Sequence, residues 1–328
     1  MKLQILVPQY KETKEVLKPL LDSIALQQGI DFDDVGVVIV NDGCPKAKLP
    51  EKFLKSYPFK IEYHMAKEHL GVSATRNACL DHATSEYVMF ADADDMFFSM
   101  VGLNIIFAEM DKPGGFNSLT TKFYEEVRRD GKVWFTEHKH DRTFVHGKFH
   151  RRQYLIDKNI RFNPKLTVHE DSYFNFMATT LADDPNTIKY SDVPIYLWKW
   201  RDGSVCRHDP LYMQKTYNNY IDSVSALIEQ LLERGKEDNA NMLVCTQMFD
   251  TYYLMNTDTW LKQDNQEYRI STERRFREFY ETHKERFAKL DKSLKLMVSN
   301  QVRANKIKSG MEMEKQTFEQ WIEYIKGL

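Results

Sequence analysis

The sequence has few cysteines, and none of them form a pair with the spacing of a redox or metal motif. Cys44, Cys79, Cys206 and Cys245 lie far apart in a chain of 328 residues. Small secreted domains are stabilised by dense cysteine frameworks, which this spacing excludes. We therefore expect free thiols in a reducing compartment.

Long apolar runs are also absent. The longest strongly apolar stretches, such as residues 35–40, have the length of a β-strand, whereas a membrane helix needs about 18 or more apolar residues. The apolar run before Pro8 is too short for the core of a signal peptide. These features predict a cytoplasmic protein without a transmembrane segment, with a peripheral position at a membrane left open.

Neither sign of charge dominates the sequence. It has 46 basic and 48 acidic residues, a formal net charge of -2, so no global field favours nucleic acid or an anionic membrane as a partner. Hydrophobic residues make up 42% of the chain, which is enough for a sizeable core. The length predicts two units, which we assign as a catalytic domain over residues 1–208 and a helical region over residues 209–328.

The first 95 residues show short apolar runs alternating with helical patterns. Helices are expected after Thr13 and over residues 72–83, and the apolar runs predict strands over residues 3–7 (ending at Pro8), 36–40, 59–63 and 87–91. This order predicts an α/β fold with a mixed, mostly parallel sheet flanked by helices, whose ligands bind beyond the carboxyl ends of the strands. Alternation over residues 117–127 and 132–137 suggests a hairpin.

Acidic residues follow two of the predicted strands. Asp92 and Asp94 lie two apart on a turn, where their carboxylates can bind one hard divalent cation. An EF-hand is excluded because Phe97 and Leu103 replace its glycine and glutamate. Asp42 ends a second strand in the turn Asn41-Asp42-Gly43 and is a candidate ligand for ribose or base. A solvated acidic loop and an ordinary turn are the alternative readings.

Two further acids open a predicted helix in the middle of the chain. Glu170 and Asp171 follow His169, and acids at this position often only stabilise the helix dipole. In a cleft, one of them could instead accept the proton of an attacking hydroxyl.

These segments, in this order, resemble the family 2 glycosyltransferases with the GT-A nucleotide-sugar fold over about residues 1–208. The five blocks that carry the resemblance are Val7-Pro8-Gln9-Tyr10 with Glu12, Val40-Asn41-Asp42-Gly43, Gly71-Val72-Ser73-Ala74-Thr75-Arg76-Asn77, Phe90-Ala91-Asp92-Ala93-Asp94-Asp95, and Glu170-Asp171. The sequence departs from the family at His69, where asparagine is usual, and over residues 9–12.

The resemblance implies roles for individual residues in this sequence. Residues implied to bind the nucleotide-sugar are Pro8, Tyr10, Glu12, Asp42, Arg76, Asp92 and Ala93. Asp94 would be the direct ligand of Mn²⁺ or Mg²⁺, Asp92 would contact ribose or metal, and His208 would complete the metal shell or be a surface histidine. Asp171 would be the general base, with Glu170 supporting it or binding the acceptor.

The implied activity is an inverting, metal-dependent transfer of a hexose from a nucleotide-diphosphate sugar, expected to be a UDP-sugar, to the hydroxyl of a glycan or glycopolymer. A nucleotidyltransferase is one alternative, although residues 8–14 lack the glycine-rich loop it would need. The other is a catalytically inactive protein that binds a polyanion.

A basic segment lies near the end of the chain. Residues 286–308 contain seven basic residues and one acid, Asp291. This segment is a candidate docking surface for an anionic acceptor, or simply a solvated helix face. Trp321, Ile322 and Ile325 share a helical spacing and are expected to pack on the catalytic domain or on a second copy, so the oligomeric state stays open.

Overall fold

The computed structural model describes residues 1–201, 212–261, 266–308 and 316–328, apart from the side chains of residues 213, 214, 258 and 259. The chain divides into two compact units, Met1–Ser204 and Val205–Leu328. The predicted domain boundary after residue 208 falls among residues that are not described, and it stays a prediction. No helix in the described ranges is both long enough and apolar enough to cross a membrane.

The first unit contains one nine-stranded sheet, counted over its described residues. Its strands are β1 (Leu3–Gln9), β2 (Val35–Asn41), β3 (Lys60–Met65), β4 (Tyr87–Phe90), β5 (Met96–Phe97), β6 (Ser118–Arg129), β7 (Lys132–His138), β8 (Lys148–Arg151) and β9 (Ile188–Trp198). The spatial order is β3-β2-β1-β4-β8-β6-β9-β5, with β7 paired to β6. The predicted hairpin is therefore β6 and β7.

The sheet is mixed, as predicted. Strands β1 to β4 are mutually parallel, and β6 is parallel to β9. β8 joins the two parts by running antiparallel to both β4 and β6. β1, β2 and β4 are almost entirely buried, which explains why they read as continuous apolar runs in the sequence.

The first strand ends later than predicted, because β1 continues past Pro8 to Gln9. In the described part of the sheet the pairing of β1 with β4 ends at Leu6 and Phe90, whereas its pairing with β2 runs on to Gln9 and Asn41. Proline is tolerated near the end of a strand where one neighbour has already stopped. The extension carries residues 8–10 to the edge where the other parallel strands end.

The helices of the first unit cover the sheet. They are α1 (Lys14–Ala25), α2 (Glu51–Leu54), α3 (Val72–His82), α4 (Gly102–Met110), α5 (Arg152–Asp157) and α6 (Glu170–Thr180). Leu17, Leu20, Leu21 and Ile24 of α1 are buried in the main core, as expected from their spacing. α3 and α6 matter for function because they begin near the carboxyl ends of the parallel strands.

The second unit is helical, as predicted. Its helices are α7 (Tyr212–Glu233), α8 (Glu237–Met255), α9 (Asp258–Leu261), α10 (Gln266–Lys289), α11 (Lys292–Lys308) and α12 (Phe318–Lys326). Trp321 is buried against Phe276 of α10 and Tyr252 of α8, with ring centroids 4.7 and 5.7 Å away. Trp321 of α12 therefore packs against helices of its own unit.

Candidate functional site

A cavity of about 230 Å³ lies at the carboxyl ends of β1, β2 and β4. Its walls come from the end of β1, the turn after β2, the start of α3 and the turn after β4. The lining residues are Pro8, Gln9, Tyr10, Glu12, Asp42, His69, Val72, Thr75, Asp92, Ala93 and Asp94. Apart from Arg76, every residue that the resemblance assigns to the nucleotide-sugar lines this one cavity.

Asp42 is a buried part of the cavity wall. Its Oδ1 accepts a hydrogen bond from the backbone nitrogen of Leu70 at 2.5 Å, and its Oδ2 accepts one from Gly71 at 3.0 Å. Oδ2 also lies 2.8 Å from Nδ1 of His69. These contacts hold the loop before α3 against the end of β2.

His69 extends this wall, and the sequence interpretation gave it no role. Its ring stacks on Tyr10 with centroids 4.2 Å apart. The sequence carried one signal for it, because His69 stands where the family usually has asparagine. The stack shows that the imidazole faces the same cavity as the predicted nucleoside residues.

The glycine after Asp42 is required by both space and backbone conformation. Gly43 has φ +66°, and a Cβ built there would lie 2.3 Å from the carbonyl carbon of Glu68. Other residues rarely adopt this left-handed conformation. The tight turn therefore brings the loop before α3 directly onto the end of β2.

Arg76 of α3 is buried and joins three carboxylates. Nη1 donates to Oε1 of Glu170 at 2.9 Å and to Oδ1 of Asp171 at 2.5 Å, and Nη2 donates to Oδ1 of Asp92 at 3.0 Å. The guanidinium lies 5.3 Å from the ring centroid of Phe162. Arg76 thus ties the acid turn after β4 to the acids at the start of α6, instead of lining the cavity.

Two of the carboxyls that share this guanidinium have pKa values shifted in opposite directions. Burial raises the pKa of Asp171 well above its ordinary value; Arg76 opposes this, while Glu170 and Asp92 add to it. Burial also acts to raise the pKa of Asp92, but Arg76, together with His146 and Arg201, outweighs burial, so the pKa of Asp92 is lowered. Neighbouring carboxyls with pKa values pushed apart are typical of acid–base sites.

Asp94 lies at the mouth of the cavity beside a cationic side chain. Its Oδ2 is 3.1 Å from Nη1 of Arg201, and the same Nη1 donates to Oε1 of Glu12 at 3.1 Å. Burial raises the pKa of Asp94, and the charge of Asp92 adds to this effect. Asp94 thus already attracts the guanidinium of Arg201. Asp92 and Asp94 both line the cavity, and carboxylate oxygens are ligands that fit Mn²⁺ or Mg²⁺. The predicted third ligand, His208, lies outside the described residues.

Two buried residues next to this wall received no role from the sequence. Asp95 accepts hydrogen bonds from Tyr196 Oη at 2.8 Å and from the backbone nitrogen of Lys199 at 2.9 Å. His146 stacks on Tyr196, and burial lowers the pKa of the imidazole to about 3. Asp95 could have been noticed as the fourth residue of the acidic turn. His146 is brought there only by the order of β4, β8, β6 and β9.

A sequence model of Glycosyl transferase family 2 matches residues 4–177. "Glycosyltransferase GlyA" of Streptococcus pneumoniae serotype 4 is 24% identical over an alignment of 274 positions, gaps included, which covers 76% of this chain and 37% of that protein. "Teichoic acid poly(glycerol phosphate) polymerase" of Staphylococcus epidermidis is 24% identical over an alignment of 335 positions, gaps included, which covers 96% of this chain and 43% of that protein. The chain therefore spans about two fifths of the length of these curated relatives.

The fold is similar to that of S. aureus TarS 1–349, solved in complex with UDP-GlcNAc. The TM-score is 0.65 at 18% sequence identity, and the match covers 94% of this chain and 92% of that chain. This likeness confirms the GT-A fold predicted from the sequence. The family model covers more than half of the residues, and on that basis the chain belongs to Glycosyl transferase family 2.

Proposed function

We propose that this protein is an inverting, metal-dependent hexosyltransferase that moves a sugar from a UDP-sugar to the hydroxyl of a glycopolymer. The observation that carries the proposal is the position of Arg76, which bonds to Asp92 on the cavity wall and to Asp171 at the start of α6. One guanidinium thus couples the donor cavity to the candidate base. Family membership favours this activity over a nucleotidyltransferase.

Asp171 is the proposed general base. It removes the proton of the acceptor hydroxyl while the hydroxyl oxygen forms a bond to the anomeric carbon. The bond from that carbon to the diphosphate oxygen breaks on the opposite face, so the configuration inverts and the nucleoside diphosphate leaves. The raised pKa of Asp171 suits this role, because a stronger base accepts the proton more readily. Glu170 supports it by sharing Nη1 of Arg76.

The proposed donor site follows from the cavity. Pro8, Tyr10, Glu12 and Asp42 line the part assigned to the nucleoside, and Asp92, Ala93 and Asp94 line the part assigned to ribose and diphosphate. Asp94, with Asp92, would hold Mn²⁺ or Mg²⁺, which when bound supplies Lewis-acid stabilisation of the departing diphosphate. The choice of UDP rests on the likeness to TarS, which was solved with UDP-GlcNAc.

An anionic glycopolymer is the proposed acceptor. The supporting observation is the likeness to a poly(glycerol phosphate) polymerase, and the basic segment over residues 286–308 is the proposed docking surface. Within it, Arg286 pairs with Glu237 and Lys306 with Asp250, whereas Lys289 and Lys292 are exposed. Exposed lysines of the segment, among them Lys289 and Lys292, are the proposed docking residues.

The test separates donor binding from transfer in Asp171→Asn and Asp94→Ala. We expect Asp171→Asn to bind UDP-GlcNAc with unchanged affinity and to lose transfer by about 10²- to 10⁴-fold. Asp94→Ala should lose the stimulation of donor binding by Mn²⁺. Asp81→Asn is the matched control, because Asp81 is a largely exposed acid paired with Arg161. Near-normal transfer by Asp171→Asn would disprove the base assignment.

A further inference from the structure

His146 is a buried histidine with an unused ring nitrogen. It is 2% exposed, and its Nδ1 has no hydrogen-bond partner within the described ranges. Aromatic rings hold the imidazole in place, since its centroid lies 5.0 Å from that of Tyr196 and 5.2 Å from that of Trp198. A buried ring nitrogen without a partner is costly, so a ligand at this atom would remove a penalty.

The unused nitrogen lies beside two carboxylates. Nδ1 of His146 is 3.9 Å from Oδ2 of Asp95, and one ligand atom from each of Asp92, Asp95 and His146 lies within 4.8 Å of the others. These separations leave room for one ion in contact with all three. Among the residues that the structure describes, this is the group identified with the geometry of a metal site.

Asp95 is also oriented as a metal ligand usually is. Tyr196 Oη donates to Oδ2, and the backbone nitrogen of Lys199 donates to Oδ1. Each oxygen accepts one hydrogen bond and keeps a lone pair for a further partner. Outer hydrogen bonds of this kind fix the direction of a ligating carboxylate.

The surrounding charge favours a cation. Asp92, Glu170 and Asp171 share the single guanidinium of Arg76, and Asp95 lies next to Asp92 without an ion pair to that guanidinium. Buried Lys148 pairs with a fifth carboxylate, Asp141, so five carboxylates stand against two buried positive groups in this part of the described structure. A divalent ion would reduce the excess negative charge.

We propose that Asp92, Asp95 and His146 form a second divalent metal site beneath the donor cavity. It shares Asp92 with the ion that Asp94 would hold beside the diphosphate, whereas Asp95 and His146 belong to the second site alone. One imidazole nitrogen with two carboxylate oxygens suits Zn²⁺ better than Ca²⁺ or Mg²⁺, and Mn²⁺ is the paramagnetic probe for the site. All ligands of this site come from the protein, so the second ion should bind without a nucleotide-sugar.

The experiment is an electron paramagnetic resonance titration of the full chain with Mn²⁺ alone, without nucleotide-sugar. We expect one bound ion per chain, with nitrogen hyperfine coupling from a directly coordinated imidazole. His146→Phe should remove the coupling and weaken Mn²⁺ binding by about 100-fold, while keeping the ring stack. Asp94→Ala should keep both the ion and the coupling.

His150→Phe is the matched control. His150 is also buried and has an unpartnered Nδ1 among the described residues, but it does not belong to the carboxylate group. It should keep the bound ion. Circular dichroism checks that each variant is folded, and His146→Gln, which also lacks an imidazole, replaces His146→Phe if the latter is not.

Three outcomes would overturn the proposal. The first is that no Mn²⁺ binds in the absence of nucleotide-sugar. The second is that nitrogen coupling survives His146→Phe and disappears with His208→Ala. The third is that the ion is lost with Asp94→Ala. A failure of the second metal site would leave the proposed transfer untouched, because the transfer test depends on Asp171 and Asp94.

Discussion

The two units of this protein balance their buried charges in opposite ways. In the helical unit, buried Glu273 receives two donors, since Oε1 accepts from Nε of Arg269 and Oε2 from Tyr324 Oη, both at 2.8 Å. In the first unit, three carboxylates share the single guanidinium of Arg76. A surplus of donors stabilises a fold, whereas a surplus of acids keeps a site in need of a cation or a proton. We therefore interpret the Arg269–Glu273 pair as structural and the acids around Arg76 as functional.

The strongest way to break this comparison is Arg76→Met. We expect it to lower the free energy of unfolding by about 3–5 kcal/mol, because it leaves buried carboxylates without their partner, and to abolish transfer. Urea unfolding followed by circular dichroism measures the first effect. Arg161→Met is the control, since Arg161 and Asp81 form an exposed pair that should contribute no more than about 1 kcal/mol. Equal stabilities of the two variants would contradict the central role of Arg76.

The corresponding change in the helical unit is Glu273→Gln. It should cost about 1–3 kcal/mol, because an amide cannot accept both hydrogen bonds, and it should leave the transfer rate per folded molecule unchanged. Urea unfolding combined with a transfer assay at a temperature where the variant is folded tests both statements. A loss of transfer larger than the loss of folded protein would contradict a purely structural role for Glu273.

The raised pKa of Asp171 predicts the acid limb of the pH profile. Its folded-state pKa lies above the ordinary 3.8, so the carboxyl stays protonated to a higher pH than in the unfolded chain. Transfer needs the ionised form, and kcat/KM should therefore fall about tenfold per pH unit below that pKa. The same shift means that this group makes the fold less stable as pH rises from 3.8 through the folded-state pKa. An acid limb at the ordinary value would contradict the assignment.

The smallest effect is expected from the basic segment of the helical unit. Lys289→Ala combined with Lys292→Ala should change stability by no more than about 0.5 kcal/mol, because both side chains are exposed. It should weaken binding of poly(glycerol phosphate) and reduce the dependence of that binding on salt. Lys52→Ala combined with Lys55→Ala, at exposed lysines of the first unit, is the control. Equal salt dependence in both double variants would remove this docking surface.

The local elements of the first unit could be predicted because each depends on neighbouring residues. The apolar runs that became β2 and β4 are buried on both faces, and the spacing of Leu17, Leu20, Leu21 and Ile24 buried one face of α1. Parallel strands end at a common edge, so the sequence predicts that Asp42, Asp92 and Asp94 lie near one another. They do line one cavity.

Only the tertiary structure decided which partners these acids have. Arg76 and Asp171 are separated by 95 positions in the chain, and His146 reaches Asp95 only because β8 and β9 are placed in the sheet away from their order in sequence. Local pattern determines which face of an element is buried. Which charges are buried together depends on the pairing of distant strands. That pairing therefore sets the pKa values of the acids and decides which polar atoms of the site are available to a ligand.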